Sequence, residues 1–307
     1  MIKKLPLSIS GLMLTLAALG NLLFTYGYIL QNIFGILSTV ILFMMLAKII
    51  ICPKIIANEL EDPINASMFP TFSMGIMLLS TYTKGHIGNI SFIIWIIGLF
   101  LHIYLMIRFT TKFIKNSGIE KIFPSYFIVY SGIVVGSITA PVFNMQSIGK
   151  MLFYFGVICF AILLSNAIKN TFTKQMTKSE LPTIAIFAAP LSIFLSGYLN
   201  SFQSKNVYIV YLLVIFSQLT LFLVLTIFPR VLRLKFHPSF SALTFPVVIS
   251  AISLKSANGF LTIAGRANSF IPRLVQLEEI LSILIVLYVL VRYIVYLLPG
   301  TCHMIRY

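Results

Sequence analysis

Acidic residues are scarce in this chain: seven Asp and Glu stand against 22 Lys and Arg in 307 residues. On the sequence none of the seven falls in the middle of an apolar run. An ionisable group inside a bilayer is expensive and usually marks a relay or an ion site. Their absence from the runs argues against a proton-relay pump or a cation carrier. Charge of either sign is thin, at 9% of residues against about 25% for a soluble domain. With 59% hydrophobic residues, a soluble helical domain is excluded. The three cysteines, Cys52, Cys159 and Cys302, lack CxxC or metal-ligand spacing. The four histidines, His86, His102, His237 and His303, are isolated from one another, and only His102 sits well inside an apolar run, where it reads as a hydrogen-bonded packing residue. No HExxH, GxSxG, paired Asp or Cys/His grouping occurs, so the expectation is no enzyme, no catalytic residue, no metal and no cofactor. The net charge of +15 is spread over short loops instead of gathering on one face, which argues against a nucleic-acid partner.

What is present is apolar sequence from end to end. A membrane span needs about 20 such residues. On that scale the chain divides into ten: 5–26, 30–51, 67–83, 89–108, 124–143, 147–168, 182–200, 207–228, 239–260 and 278–298, all in one transmembrane domain covering 1–307. The first run follows Lys3-Lys4 and exceeds a signal-peptide core in length, so it reads as a retained helix. With the N-terminus inside, sixteen basic residues face the cytoplasm and six (Lys84, Lys150, Lys205, Lys255, Arg266 and Arg273) face out. That bias predicts cytoplasmic N and C termini in a plasma or inner membrane, multi-pass. The short ends on this reading offer no regulatory tail.

The spans differ by parity. Odd spans begin near Pro6, Pro70, Pro124, Pro182 and Pro238, at steps of 64, 54, 58 and 56 residues. They carry small and polar residues inside the run, among them Gly11, Thr15, Gly136, Ser137, Pro190, Ser192, Ser241, Thr244 and Pro246. Even spans are dominated by Ile, Leu, Phe and Val, as in Ile93–Leu101. Small residues let helices approach, and Pro or Gly at membrane depth is tolerated beside protein or a water-filled cavity. The pattern predicts an all-α membrane protein of five helical hairpins, odd helices inside and even helices outside, around a central passage.

Four segments carry a family resemblance: Pro6–Leu23 (PLSISGLMLTLAALGNLL), Pro124–Pro141 (PSYFIVYSGIVVGSITAP), Phe187–Leu199 (FAAPLSIFLSGYL) and His237–Leu254 (HPSFSALTFPVVISAISL). They lie in four of the five odd spans. The chain resembles the tellurite-resistance/dicarboxylate transporter family, which includes the bacterial TehA proteins and the plant slow-type (SLAC) anion channels. The resemblance implies ten helices in a quasi-fivefold ring, a pore in each subunit of a homotrimer, and closure of that pore by a phenylalanine of the ninth helix packed against a glycine of the first. The matching positions are Phe245 and Gly11. Many relatives kink the first and fifth helices at prolines. Here those stretches read Leu12-Met13-Leu14 and a segment with Val129, neither with a proline, and the third span (Ser67–Tyr82) matches weakly.

The expectation is an anion channel for chloride, nitrate or similar small anions, with the lipid bilayer as its surroundings. Thr15, Ser137, Pro190, Ser192, Ser241, Thr244 and Pro246 are expected to line the pore, with Lys255 and Arg266 raising anion concentration at the outer mouth or, for Lys255, snorkelling to the interface. The alternative is a proton-linked secondary transporter of C4-dicarboxylate, sulfite or tellurite on the same fold, against which the missing carboxylates count. A scaffold protein has no need of polar-flecked inner helices.

Overall fold

The computed structural model describes residues 2–115, 122–173, 176–177 and 179–298. Lys121, Lys174, Lys178, Arg306, Cys302 and His303 lie outside the described residues. Every regular element among the described residues is helical. The longer ones are α1 (Ile9–Leu23), α2 (Tyr28–Ile51), α5 (Thr71–Ile87), α6 (Asn89–Phe109), α9 (Gln146–Thr173), α10 (Ala189–Ser201), α11 (Val207–Leu225), α13 (Thr244–Ile263) and α14 (Phe270–Leu297). Between them stand α3 (Pro53–Glu59), α4 (Pro63–Met68), α7 (Tyr126–Tyr130), α8 (Val134–Thr139) and α12 (Phe228–Leu232). Two 3-10 stretches, Leu181–Ala188 and Pro238–Leu243, run straight into α10 and α13.

Among the described residues, eight helical segments are long and apolar enough to cross a membrane. The other two expected spans fall short of that test for different reasons. Helix α5 has 17 residues. The span expected over 124–143 is broken at 131–133 into α7 and α8, followed by a 3-10 turn over Ala140–Phe143. The break forms without a proline. At Gly132 an added Cβ would lie 2.1 Å from the Ile128 carbonyl oxygen and 2.8 Å from the Met74 sulfur, so only glycine fits the turn. Helix α1, with Leu12-Met13-Leu14 in place of a proline, is unbroken from Ile9 to Leu23.

One end is corrected by eight residues. The last span, expected over 278–298, begins at Phe270, so Glu278 and Glu279 lie more than two turns inside α14. Both are buried, at 3% and 4% exposure. The sequence reading set both carboxylates at the first two positions of this span; the structure sets them deeper, with eight helical residues ahead of them. Glu279 is carried into the helix by pairing with Lys255, and the apolar residues that precede the pair continue the same helix.

The elements separate by burial. About four-fifths of the apolar stretch is buried in the segments of α1, α10 and α13 (78%, 78% and 83%), against 22–33% in α2, α6, α9, α11 and α14. Aliphatic side chains such as Ile36, Ile97, Ile158, Ile215 and Leu284 point outward from the latter set. The buried elements pack one on the next in a closed circuit: α1 on α5, α5 on α8, α8 on α10, α10 on α13, and α13 back on α1. Each has a bulky neighbour outside it: α2, α6, α9, α11 and α14 respectively. Four residues with left-handed backbone, Gly27, Gly88, Asn144 and Gly265, stand at the turns that join an inner element to its outer neighbour. A residue that accepts positive φ lets the chain reverse in a few residues.

Hydrogen bonds and an ion pair fix the circuit. His102 on α6 joins Ser73 of α5 (2.9 Å) and the Val129 carbonyl of α7 (3.1 Å), the packing role read for it in the sequence. Trp95 donates to Thr139 at 2.7 Å. The Lys48 ammonium, fully buried, donates to the Leu5 carbonyl (2.6 Å) and pairs with Glu59 (2.5 Å), tying α2 and α3 to the start of α1.

Candidate functional site

Four of the five inner elements (α1, α5, α10 and α13), together with α7 and Gly132 just ahead of α8, line one small cavity of about 30 Å³. Gly11 contributes from α1, Thr71 and Met74 from α5, Phe127 from α7, Ile193 from α10, and Phe245 from α13. No lining residue carries a charge. The lining positions fall near the beginning of α1, α5, α10 and α13 and in the α7 segment that precedes α8, so the cavity lies toward one end of the circuit. The two 3-10 stretches cover that approach. At about 2.0 Å per residue, the six residues of Pro238–Leu243 take the chain about 12 Å before α13 begins. The change from 3-10 to α falls beside the cavity in both stretches, at Ala188/Ala189 before Pro190 and at Leu243/Thr244 before Pro246. Irregular helix of this kind at depth is tolerated where protein or a cavity surrounds it.

Phe245 is 8% exposed and stands in the cavity wall next to Pro246. Gly11 opens onto the same space. The atoms nearest to a Cβ added at Gly11 are the Cβ and Oγ of Ser241, both at 3.2 Å. The glycine thus lets α1 approach the 3-10 turn that carries Ser241, one turn before Phe245.

Of the residues expected to line a passage, Pro190, Ser241 and Pro246 do so. Thr15, Ser137, Ser192 and Thr244 are not in the cavity wall. All four are completely buried and spend their hydroxyls inside the protein. Thr15 is bonded to the Gly11 carbonyl (2.7 Å) and to Thr244 (2.8 Å), which joins α1 to α13 beside Phe245. Thr244 also reaches the Ser241 carbonyl at 2.7 Å. Ser137 meets Ser201 across the α8–α10 contact, and Ser192 donates to the Ala188 carbonyl. A hydroxyl within a helix bonds back to the preceding turn when no better partner is at hand. On the sequence such residues cannot be told from pore-lining ones.

Lys255 is corrected as well. Its ammonium is 2.5 Å from Glu279, 2.8 Å from Thr25 and 3.0 Å from the Leu22 carbonyl, and it stands over the Tyr26 ring. Tyr26 donates to the other Glu279 oxygen at 2.7 Å. The lysine is therefore a clamp from α13 to the end of α1 and to α14, with its charge answered by Glu279. Arg266 is exposed in the turn after α13.

Sequence reasoning missed Met74, Phe127, Gly132, Ile186 and Ile193 in the cavity wall. Apolar residues in an apolar run give no signal of their facing. The Ser131-Gly132 dipeptide inside a span was the available sign, since Gly inside a helical pattern often marks a close approach. Among the described residues, no three His, Cys, Asp or Glu side chains gather as a metal site.

No curated protein matches the chain. A family model does: residues 4–294 match SLAC1, described as voltage-dependent anion channel. An uncharged cavity ringed by five packed helical elements, in a helical protein with several membrane-length apolar segments, agrees with that match, and the chain belongs to the SLAC1 family.

Proposed function

We propose that this protein is an anion channel whose path runs through the cavity along the axis of the inner circuit, and that Phe245 closes it. The observation that carries this reading is that α1, α5, α10 and α13, with α7 ahead of α8, meet at one uncharged space with Phe245 in its wall. A phenyl ring in a narrow apolar neck denies an ion its hydration and any partner, and such constrictions gate by dewetting. Gly11 gives the neighbouring helices the closeness that keeps the neck narrow. Small inorganic anions fit a path without carboxylates better than cations do.

On this reading α5 and the broken α7–α8 segment also traverse the bilayer, giving ten spans in five hairpins. The excess of basic residues places both termini in the cytoplasm of a plasma or inner membrane. The outward Ile, Leu and Phe side chains of the outer helices face lipid or neighbouring copies, as in the homotrimer that the family resemblance implies.

The test is voltage-clamp current from wild type and Phe245→Ala in the same preparation, with chloride and then nitrate as the main anion. A small wild-type current and a large, anion-selective mutant current support the channel. Silence from both, with folded mutant protein, contradicts it. One observation favours the alternative, a proton-linked transporter of dicarboxylate, sulfite or tellurite: the carboxyl group of Glu278 is buried in α14. Labelled malate and sulfite flux driven by a proton gradient tests that reading.

A further inference from the structure

We propose that Glu278 is a proton-binding site built into the contact of α11, α13 and α14, and that its proton holds the helix carrying Phe245 in the packed position. The coupling half of this proposal rests on the anion-pathway reading, and the site itself does not.

Glu278 is 3% exposed and neither carboxyl oxygen has a well-formed hydrogen bond. Its polar neighbours are Ser250 on α13 and Gln218 on α11. Those two are already joined, Gln218 donating from Nε2 to Ser250 Oγ at 3.1 Å. One turn further along α14 the hydroxyl of Ser282 is also completely buried without a partner. Three buried oxygens without well-formed partners therefore lie within one turn of α14, in a contact that offers neutral hydroxyl and amide groups and no cation. A carboxylate placed there would face no cation. A carboxylic acid has one donor to give, and the Ser250 oxygen and the Gln218 amide oxygen are acceptors for it.

The charged and titratable groups on the surrounding elements do not supply a partner. Helix α13 carries only Lys255, which is held by Glu279. Helix α11 carries Tyr208 and Tyr211 and no charge, and α1 carries no titratable side chain. On α14 itself Arg273 is exposed, and Arg292 lies more than three turns away, over the Phe236 and Tyr288 rings. The 3-10 stretch Pro238–Leu243, which also packs on α14, has none, and His237 before it accepts from the Ser239 amide at 3.3 Å. Glu279 is the internal contrast: next in sequence and equally buried, it has Lys255 and Tyr26 as partners.

Ser250 follows Phe245 by five residues on α13. Loss of the proton from Glu278 leaves a charge that needs water, and water enters only if α13 and α14 move apart. That movement is transmitted to Phe245 along a continuous helix. The expected direction is more anion flux at alkaline pH, when the site empties.

The test combines infrared spectra with flux in liposomes. Wild type should show the carbonyl stretch of a protonated carboxylic acid near neutral pH, lost at alkaline pH and missing in Glu278→Gln. Glu279→Gln, which removes the paired carboxylate, should keep it. Chloride flux through wild type should rise with pH, and Glu278→Gln, which keeps the shape of a neutral acid, should be flat. Absence of the acid band in wild type, or its displacement by sodium at constant pH, overturns the proton site. A band that titrates while wild-type flux ignores pH overturns the coupling. An intact band with no anion current even in Phe245→Ala sinks the channel reading and leaves the site standing.

Discussion

Replacing Lys255 by Met separates two roles for this residue, the clamp seen in the structure and a cationic mouth. The Glu279 side chain is 5% exposed and that of Lys255 is 28% exposed, so the pair is largely out of water. Lys255 also satisfies Thr25 and the Leu22 carbonyl at the end of α1. Removing one partner of a buried pair costs about 3–5 kcal/mol, because the other charge is left behind. Partial exposure of the lysine puts the expectation near the lower end, about 3 kcal/mol. For a chain of this size each kcal/mol lowers the melting temperature by roughly 2–4 °C, so Lys255→Met should melt roughly 6–12 °C early. The double variant Lys255→Met/Glu279→Gln removes both charges and should recover most of that loss. The assay is thermal unfolding in detergent for wild type, both single variants and the double variant, read as a mutant cycle. The clamp is refuted if Lys255→Met melts as wild type does and instead lowers anion conductance at low salt. That result would make the lysine an anion attractor.

Three further outcomes follow from close contacts. Gly132→Ala drives a Cβ against the Ile128 carbonyl and the Met74 sulfur, and should cost about 1–3 kcal/mol or more, read as a lower melting temperature or lost yield. Gly11→Asp, introduced into Phe245→Ala, puts bulk and negative charge where the nearest atoms are 3.2 Å away, and should abolish the current opened by that variant. His102→Phe leaves the Ser73 hydroxyl and the Val129 carbonyl without their imidazole and should destabilise by about 1–3 kcal/mol, with no effect on which ions pass.

The division into inner and outer helices was legible because it is written in composition. A helix surrounded by protein needs small residues for close approach, and one facing lipid needs only apolar bulk. The tenth helix was misread at its start: the expected span began at Glu278, whereas the helix begins at Phe270, and Lys255, more than twenty residues earlier, answers the charge of Glu279 inside it. Pairing across helices leaves no local trace. The break at Ser131–Ile133 was hidden in the same way, because a helix can be broken by crowding at a glycine as well as by proline. Among candidate site residues, Gly11, Phe245, Pro190, Ser241 and Pro246 meet at the cavity. The hydroxyls of Thr15, Ser137, Ser192 and Thr244 serve contacts between helices or back-bonds within one, and composition alone does not separate these uses.

The most direct test is a size series at position 245. Removing the phenyl ring from a packed core would cost about 3–5 kcal/mol, the lost burial plus the cavity left behind. In a hydrated neck that cost shrinks, and each 1.4 kcal/mol taken off the barrier to an ion multiplies current about tenfold. Currents from Phe245→Leu, Phe245→Val and Phe245→Ala should therefore rise as the side chain shrinks. Each should reverse at the chloride equilibrium potential, with little loss of thermal stability. A series that melts progressively earlier and carries no anion current would place Phe245 in a packed core and contradict a pore closed by its ring.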